Sequence, residues 1–224
     1  MEVAGWWEHK NRYDVLDQDG TVLFIMKEES DCCTRIYCGN GRDFKMTFED
    51  TDGQVLLDFD RPLRCQDCCC TGCYPNWTQL MEVKHKEQMV GKIREVPNGC
   101  CGNVELQVHD RHDLKLLGIS GPCCPCGCCG ADVPFQVRAA KKSLKFPAYF
   151  LLLFQIEDDA GSSVGQIARK WRGCCEETFT DSDTFKVEFP SGSDVTKKAL
   201  LIAATILIVS FISYVNFEAL HVNN

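Results

Sequence analysis

The run ALLIAATILIVSFISYVNF, from Ala199 to Phe217, decides how the rest of the chain is interpreted. It contains 19 residues without a charge, and Lys197 and Lys198 stand directly before it. A helix rises about 1.5 Å per residue, so a helix of this length just crosses a hydrocarbon core of about 30 Å. The two lysines would then hold the rest of the chain on the cytoplasmic side. The run therefore predicts a membrane span.

The same run also fits a helix packed inside a protein. Its polar side chains fall within one arc of the helix, a pattern typical of a helix that packs against other elements. They are Thr205, Ser210, Ser213 and Asn216. The sequence leaves both interpretations open, and in both the helix is marked by Ala199, Leu207, Phe211 and Phe217.

Composition and charge limit the class of protein. The 224 residues are 45% hydrophobic, which is enough to form the core of one large domain or of two small ones. The net charge of −8 argues against nucleic acid as a partner and against a polybasic membrane anchor. The N-terminal run MEVAGWWEHKNRY has no basic stretch followed by an apolar one, so we expect no signal peptide. The 17 cysteines are therefore expected in a reducing compartment, where disulfides are rare.

Strands and tight turns are predicted from the N-terminal region up to the apolar run. Asp19-Gly20 and Asp52-Gly53 each separate two alternating apolar runs, which is the pattern of a β-hairpin. The polar run His109–Asp113 separates a third pair, and Phe185–Phe189 alternates apolar with charged residues. We therefore predict a mostly β domain, an antiparallel sheet with one apolar helix at its C-terminal end.

The sequence also contains an internal repeat. Cys65–Cys73 is followed by the run Val90–Ile93, and Cys123–Cys129 is followed by the similar run Val164–Ile167. This repetition predicts duplicated supersecondary units that close one sheet. The second copy is longer, and the excess predicts an apolar insertion at about residues 141–158, with an additional strand as the alternative.

Several longer motifs make the chain resemble the phospholipid scramblase family. One is Arg61-Pro62-Leu63-Arg64-Cys65, followed closely by Cys68-Cys69-Cys70. The others are Asp31–Arg35, Ile119–Gly130, Val164–Trp171 and Phe179–Pro190. These motifs are spread over most of the chain, although the proline-rich N-terminal arm of the family is absent.

The resemblance implies a fold and a function. The implied fold is a closed antiparallel tubby-like β-barrel over residues 1–198, an apolar helix over 199–217 that enters the barrel core or the membrane, and a short tail over 218–224. The implied function is calcium-responsive, ATP-independent movement of phospholipids in both directions between membrane leaflets, by a lipid translocator rather than a chemical catalyst. Membrane phospholipids are then the partners, and homo-oligomers are expected. The predicted location is the cytoplasmic face of the plasma membrane, as a single-pass type II or acyl-anchored protein.

A second function stays open beside this one. A helix buried in its own barrel would leave a cytosolic, acyl-anchored module that binds lipids or proteins and has no transport activity. Enzymatic signals are weak, since Gly161–Gly165 matches G-x-S-x-G but is followed by a predicted strand rather than a helix.

A calcium site is implied by the resemblance over Asp181–Gly192. Calcium needs several oxygen ligands, and Asp181, Asp183 and the later Asp194 are the candidates. Lys186 and Gly192 stand where the pattern of the family has a glycine and an acid. The alternative is a plain strand with acidic residues at its turn.

The cysteine cluster has three interpretations. The resemblance implies S-acylation of Cys68, Cys69, Cys70 and Cys73, and fatty chains give reversible membrane anchoring. The pairs Cys65/Cys68 and Cys70/Cys73 have the C-x-x-C spacing of zinc ligands, although only one residue separates them. Small buried residues in a loop are the third alternative.

Overall fold

A computed structural model describes residues 12–31, 42–64, 78–97, 103–123, 153–170, 182–212 and 216–223. Within these ranges the chain forms twelve strands and one long helix. Along the strands buried and exposed side chains alternate, as the sequence pattern predicts for a sheet with one face in the core. The strands are β1 Arg12–Leu16, β2 Val22–Glu29, β3 Phe44–Asp50, β4 Val55–Arg61, β5 Leu80–His85, β6 Gln88–Glu95, β7 Asn103–Asp110, β8 Lys115–Cys123, β9 Leu153–Glu157, β10 Ser163–Lys170, β11 Ser182–Glu188 and β12 Asn216–Asn223.

The strands close into a barrel, which confirms the predicted fold class. From β1 to β11 each strand pairs antiparallel with the next strand along the chain. The last strand, β12, lies between β11 and β1 and runs parallel to both. The barrel is therefore antiparallel except at this closing strand, which the sequence did not predict.

Four hairpin turns share one arrangement. In the first, the Asp17 Oδ1 atom accepts hydrogen bonds from the backbone N–H groups of Asp19 and Thr21. In the other three turns the accepting Oδ1 atom belongs to Asp50, Asp110 or Asp158. Each accepts hydrogen bonds from the backbone N–H groups two and four residues ahead. The fourth residue of each turn has a positive φ, and it is a glycine in three of the four turns. These turns confirm the hairpins predicted at Asp19-Gly20, Asp52-Gly53 and His109–Asp113.

The helix, α1, spans Val195–Ile212. Asp194 caps its first turn, because the Asp194 Oδ1 atom accepts a hydrogen bond from the backbone N–H of Lys197 at 2.8 Å. Every residue from Leu200 to Val209 is buried, and α1 contacts β5, β6 and β7 on one side of the barrel and β11 on the other. The helix therefore runs through the interior of the barrel, as the core interpretation of the apolar run predicts.

The predicted bounds of the helix, 199–217, are wrong at both ends. The helix begins earlier, because the cap at Asp194 sets its start ahead of the apolar residues. Phe217 and most of the predicted tail belong to β12, because this segment supplies the backbone hydrogen bonds that join β11 to β1. Leu220 on β12 is fully buried and completes the wall of the core.

No helix in the described ranges has both the length and the hydropathy needed to cross a bilayer.

The predicted insertion at about 141–158 is wrong in its last part. Leu153–Glu157 forms β9, which pairs with β8 on one side and with β10 on the other, and Phe154 and Ile156 are fully buried in the core. This segment is therefore one of the barrel strands, the alternative that the sequence left open. Residues 141–152 lie outside the described ranges.

The internal repeat corresponds to two similar strand positions. A Cβ atom on Gly91 of β6 would lie 2.4 Å from the carbonyl oxygen of His109, and one on Gly165 of β10 would lie 2.4 Å from that of Glu188. In both repeats the glycine thus permits a close approach to the following strand that no larger residue allows. The side chain of Leu200 on α1 packs against Gly91 as well.

Candidate functional site

The two ends of the barrel differ in their connections. Because successive strands alternate in direction, β1 to β11 are joined alternately at one end and at the other. At one end the connections are the short segments 17–21, 51–54, 86–87, 111–114, 158–162 and the link 189–194 to α1, and we call it the turn end. At the other end they are 30–43, 62–79, 96–102, 124–152, 171–181 and 213–215, and the residues before β1 join it too.

We call this second end the cysteine end. Sixteen of the 17 cysteines belong to its connections, and the remaining one, Cys123, is the last residue of β8 at the same end. The predicted acylation residues Cys68, Cys69, Cys70 and Cys73 belong to the connection between β4 and β5 and lie outside the described residues. Within this connection the described residues nearest to the cysteines are Arg64 and Thr78.

A buried polar network lies inside the barrel wall at the cysteine end. Arg61, at the end of β4, is 1% exposed and donates two hydrogen bonds to the Gln79 Oε1 atom, at 3.1 and 2.6 Å. Its Nη1 atom donates to the backbone carbonyl of Arg42 at 3.2 Å. Arg42 in turn binds the buried carboxylate of Glu28 through two of its nitrogen atoms, at 3.1 and 3.2 Å. The network ties β2, β3, β4 and the start of β5 together.

Burial changes the acidity of several groups around this network. Burial lowers the pKa of Arg61 to about 10, and the nearby Arg42 lowers it further. Burial raises the pKa of Glu95, which accepts a hydrogen bond from the backbone N–H of Gln79 at 2.8 Å. Burial also raises the pKa of Tyr13, beside Glu28. The guanidinium of Arg61 lies 5.5 Å from the centre of the Phe44 ring, which stabilises the buried cation.

The residues of this network are not among those that the sequence predicted as a site. One signal was available, because Phe59 and Arg61 are two residues apart on β4 and therefore face the same side, toward the core. The partner Gln79 lies outside any strand pattern, and its Nε2 atom is buried without a hydrogen-bond partner.

A cleft opens beside the network between the ends of β2, β3 and β4. Its volume is about 510 Å³. Its lining residues include four with carboxylates and two with basic side chains, so the lining carries a net negative charge. The lining residues are Glu29, Ser30, Asp31, Asp43, Phe44, Lys45, Asp60, Arg61, Pro62 and Leu63.

The structure places two of the three predicted calcium ligands, Asp183 and Asp194, at opposite ends of the barrel. Asp183 is the second residue of β11, at the cysteine end, whereas Asp194 caps α1 at the turn end. Asp181 lies outside the described residues. Between them Phe185 is buried in the core, and Lys186 forms an ion pair with Glu188 at 2.8 Å.

The described part of the segment therefore forms a barrel strand, and it does not bring Asp183 and Asp194 to one set of calcium ligands. Gly192 lies in the turn before α1 with a φ of 73°. Among the described residues, no group of three or more histidine, cysteine or acidic side chains is arranged to hold a metal ion. The G-x-S-x-G match is likewise a hairpin, since Gly161 ends a turn and Ser163 begins β10.

The fold and the cysteine end define a helix-filled β-barrel whose long connections carry cysteines. A sequence profile described as Scramblase matches residues 1–145 and 149–216, and the chain belongs to the scramblase family. Within residues 1–216 the match leaves only residues 146–148 unaligned, so most of the stretch predicted as an insertion has a family counterpart.

Several curated relatives are similar over most of this chain. Phospholipid scramblase 1 of Homo sapiens is 35% identical over 93% of this chain and 58% of its own length. Phospholipid scramblase 2 of Bos taurus is 34% identical over 93% of this chain and 63% of its own length. Phospholipid scramblase family member 5 of Homo sapiens is 29% identical over 89% of this chain and 65% of its own length. The chain thus spans about three-fifths of the length of these relatives. No solved structure matches it significantly.

Proposed function

We propose that this protein is a lipid translocator that lets phospholipids move in both directions between the leaflets of a membrane, without ATP. The observation that carries the proposal is the family match, which spans nearly the whole barrel and α1 and includes relatives named as phospholipid scramblases. The barrier to this movement is physical, since a polar headgroup has to cross hydrocarbon that does not solvate it. The protein lowers that barrier and performs no chemical step.

The packed interior bears on the route that a lipid would take. α1 fills the barrel, and its buried side chains join those of the strands in one core. A headgroup therefore does not pass through the barrel of the folded chain. The route lies in the bilayer beside the protein, which perturbs the local lipid packing alone or as a homo-oligomer.

Attachment to the membrane is the second part of the proposal. A helix that forms the core of its own barrel favours the acyl-anchored form over the single-pass form that the sequence left open. S-acylation of Cys68, Cys69, Cys70 and Cys73 would supply the anchor, and each buried CH₂ group of a fatty chain contributes about 0.8 kcal/mol. We place the protein at the cytoplasmic face of the plasma membrane.

Replacing those four cysteines by serine tests the anchor. The chain should then leave the membrane fraction, and the hydroxylamine-sensitive label of its thioesters should disappear. Unchanged fractionation with unchanged labelling would instead favour the zinc or buried-loop interpretations of the cluster.

Calcium responsiveness remains a proposal about Asp181 and Asp183. Asp194 belongs to a different end of the barrel, so we expect a different role for it. Asp181→Ala or Asp183→Ala should abolish the calcium dependence of lipid movement. The control Asp194→Ala should keep it while removing a helix cap that is worth about 1 kcal/mol. If all three variants kept the calcium dependence of the native chain, Asp181 and Asp183 would be excluded as its ligands.

Reconstitution tests the main proposal. The full chain is placed in vesicles that contain a fluorescent phospholipid, and dithionite is added outside to bleach the outer leaflet. A translocator brings the inner-leaflet lipids to the reagent, so bleaching should proceed well past the outer half of the signal without ATP. Bleaching that stops at the outer half, with the protein bound to the vesicles, would refute the proposal.

That negative outcome would favour the second candidate function, an acyl-anchored module that binds lipids or proteins without transporting lipid. The observation in its favour is the closed barrel itself, which has a packed interior and no described passage for a lipid.

A further inference from the structure

The cleft between the ends of β2, β3 and β4 contains a buried cation without a carboxylate partner. Arg61 is 1% exposed and is part of the lining of this cleft, so it lies at the cleft floor. A guanidinium has five N–H bonds. Three of them donate to Gln79 and to the backbone carbonyl of Arg42, which are uncharged acceptors. The other two have no acceptor among the described residues.

The acidic groups nearest to Arg61 are engaged elsewhere. The Glu28 carboxylate binds Arg42, and the Glu95 carboxylate accepts a hydrogen bond from the backbone N–H of Gln79. Burial keeps the pKa of Arg61 below its ordinary value, although both acids raise it from a distance. A buried charge without an ion-pair partner is costly, and an anion bound in the cleft would offset that cost. The planar guanidinium matches the geometry of a phosphate group, so the cleft floor favours phosphate.

The rest of the lining disfavours an anion that carries no positive charge of its own. It contains four acidic residues and only one other basic residue, Lys45, so a simple anion would meet a net repulsion. Glu29 and Asp43 are exposed, and their carboxylates bond no other described side chain. The carboxylate of Asp60, in contrast, lies 3.4 Å from the Lys84 ammonium. A fitting ligand therefore carries a cationic group beside its phosphate.

The lining also distinguishes between kinds of cationic group. A primary ammonium donates three hydrogen bonds, which carboxylates accept, whereas a quaternary ammonium donates none and binds aromatic faces. The one aromatic residue of the lining, Phe44, is 5% exposed. The guanidinium groups of Arg42 and Arg61 lie 6.0 and 5.5 Å from the centre of its ring. The ring is therefore already occupied by cations of the chain, and the carboxylates favour a primary ammonium.

We propose that this cleft binds a phosphodiester that carries a primary ammonium, the chemistry of an ethanolamine phospholipid headgroup. Arg61 and Lys45 bind the phosphate, and Glu29 and Asp43 bind the ammonium. The inference rests on the proposed function in taking a membrane phospholipid as the ligand, and it deepens that function by naming the headgroup. A soluble ester of phosphoethanolamine has the same chemistry, and the two sources are separated by experiment.

Calorimetric titration of the full chain with soluble headgroup analogues tests the site. The analogues are glycerophosphoethanolamine, glycerophosphocholine and glycerophosphoserine, the last of which adds a carboxylate that the acidic lining repels. Glycerophosphoethanolamine should bind about tenfold more tightly than either of the others, which is the effect of one charge-assisted hydrogen bond. Equal affinities for the three analogues, or no binding of glycerophosphoethanolamine, would overturn the proposal.

A cleft variant and a matched control test the ammonium contact. Glu29→Gln with Asp43→Asn changes two exposed side chains, so the barrel should stay folded. Its affinity for glycerophosphoethanolamine should fall about tenfold, and its affinity for glycerophosphocholine should not fall. The control, Asp52→Asn with Glu105→Gln, removes the same charge at exposed positions outside the cleft and should keep the native preference. An ethanolamine preference that survives in the cleft variant, or disappears in the control, would contradict the assignment.

Two variants test the phosphate contact. Arg61→Met should abolish the binding of all three analogues, and circular dichroism shows whether this variant is folded. Lys45→Gln decides the question where Arg61→Met does not fold, because Lys45 is exposed. It should weaken the binding of all three analogues by about threefold, since it removes one cation and no carboxylate. Unchanged affinities in Lys45→Gln, or in folded Arg61→Met, would refute the phosphate contact.

The vesicle assay of the proposed function separates the two sources of the ligand. If the cleft takes lipid headgroups, saturating glycerophosphoethanolamine should slow the movement of an ethanolamine phospholipid, and glycerophosphoserine should not. An analogue that binds without slowing lipid movement would assign the cleft to soluble esters. Binding without any lipid movement would refute the proposed function and leave the site standing. Lipid movement without binding of the analogue would refute the site and leave the function standing.

Discussion

Shortening Leu207 in the middle of α1 tests whether the helix is part of the folded core. Leu207 is fully buried among the strands that surround α1. Leu207→Ala removes the end of this side chain and leaves a cavity, and such changes in a packed core cost about 2–5 kcal/mol. Since the neighbours of Leu207 are packed on all sides, we expect a loss of about 3 kcal/mol in the free energy of unfolding.

Urea unfolding of the purified chain measures this loss. With a slope of about 3 kcal/mol per molar urea, the midpoint should fall by about 1 M. In a thermal scan the midpoint should fall by roughly 6–12 °C, given about 2–4 °C per kcal/mol for a chain of this size.

The matched control is Val195→Ala, at the start of the same helix. Val195 is 84% exposed, so its truncation should change the free energy of unfolding by less than about 0.5 kcal/mol. If Leu207→Ala were as mild as this control, the helix would contribute nothing to the folded barrel and the described core would be wrong.

Three further predictions concern the barrel wall. Gly91→Ala should cost about 1–3 kcal/mol, because its Cβ would lie 2.4 Å from the carbonyl oxygen of His109, whereas Gly118→Ala meets nothing closer than 3.8 Å and should be tolerated. Arg61→Met should cost about 2–4 kcal/mol because it leaves buried acceptors without donors, and Arg61→Lys should not restore the loss, since lysine lacks the planar fork. A hydrogen bond from Lys27 lowers the pKa of Glu49, so its contribution to stability is present above the ordinary pKa of a glutamate and is lost as the pH falls below about 4.3. Glu49→Gln should therefore show a shallower loss of stability with acid.

Urea unfolding measures all three. Equal effects of Gly91→Ala and Gly118→Ala would contradict the close approach of β6 to β7. Full recovery in Arg61→Lys would show that only the charge matters at that position. An unchanged acid profile in Glu49→Gln would show that its ion pair with Lys27 does not persist in solution.

The hairpins were predictable because their signals are local. Each Asp-Gly pair supplies a residue that accepts a positive φ, and the apolar alternation on either side sets which face is buried. The apolar run of the helix was equally clear, because nine of the ten consecutive buried residues from Leu200 to Val209 are apolar.

The end of the helix and the closing strand were not predictable in this way. Phe217 continues the apolar run, so the sequence contains no break where α1 stops, and β12 is defined by pairing with β1, which lies at the other end of the chain. Parallel pairing across such a separation leaves no local signature. Asp183 and Asp194 are close in sequence, but Asp183 lies near the start of β11 and Asp194 follows its end, so their separation in space also depends on the strand between them.

The Arg61 network shows how far a buried polar contact can be predicted from the alternation of apolar and polar residues along a strand. The pattern of β4 directs Arg61 toward the core, and a buried arginine implies acceptors nearby. The identity of those acceptors, Gln79 and the carbonyl of Arg42, depends on contacts between separate segments. The sequence could therefore predict that a network exists and could not predict its members.

The measurement that tests the central claim most directly is the side of the membrane on which the C-terminus lies. An extended tail with an N-glycosylation acceptor is added after Asn224, and the protein is expressed in cells. The control protein carries the same tail and a signal peptide, and its modification verifies that the acceptor is used. Because α1 fills the barrel and β12 returns between β11 and β1, the tail stays on the same side as the barrel and should remain unmodified. Complete modification of the tail would place α1 across the bilayer and would contradict the helix-filled barrel.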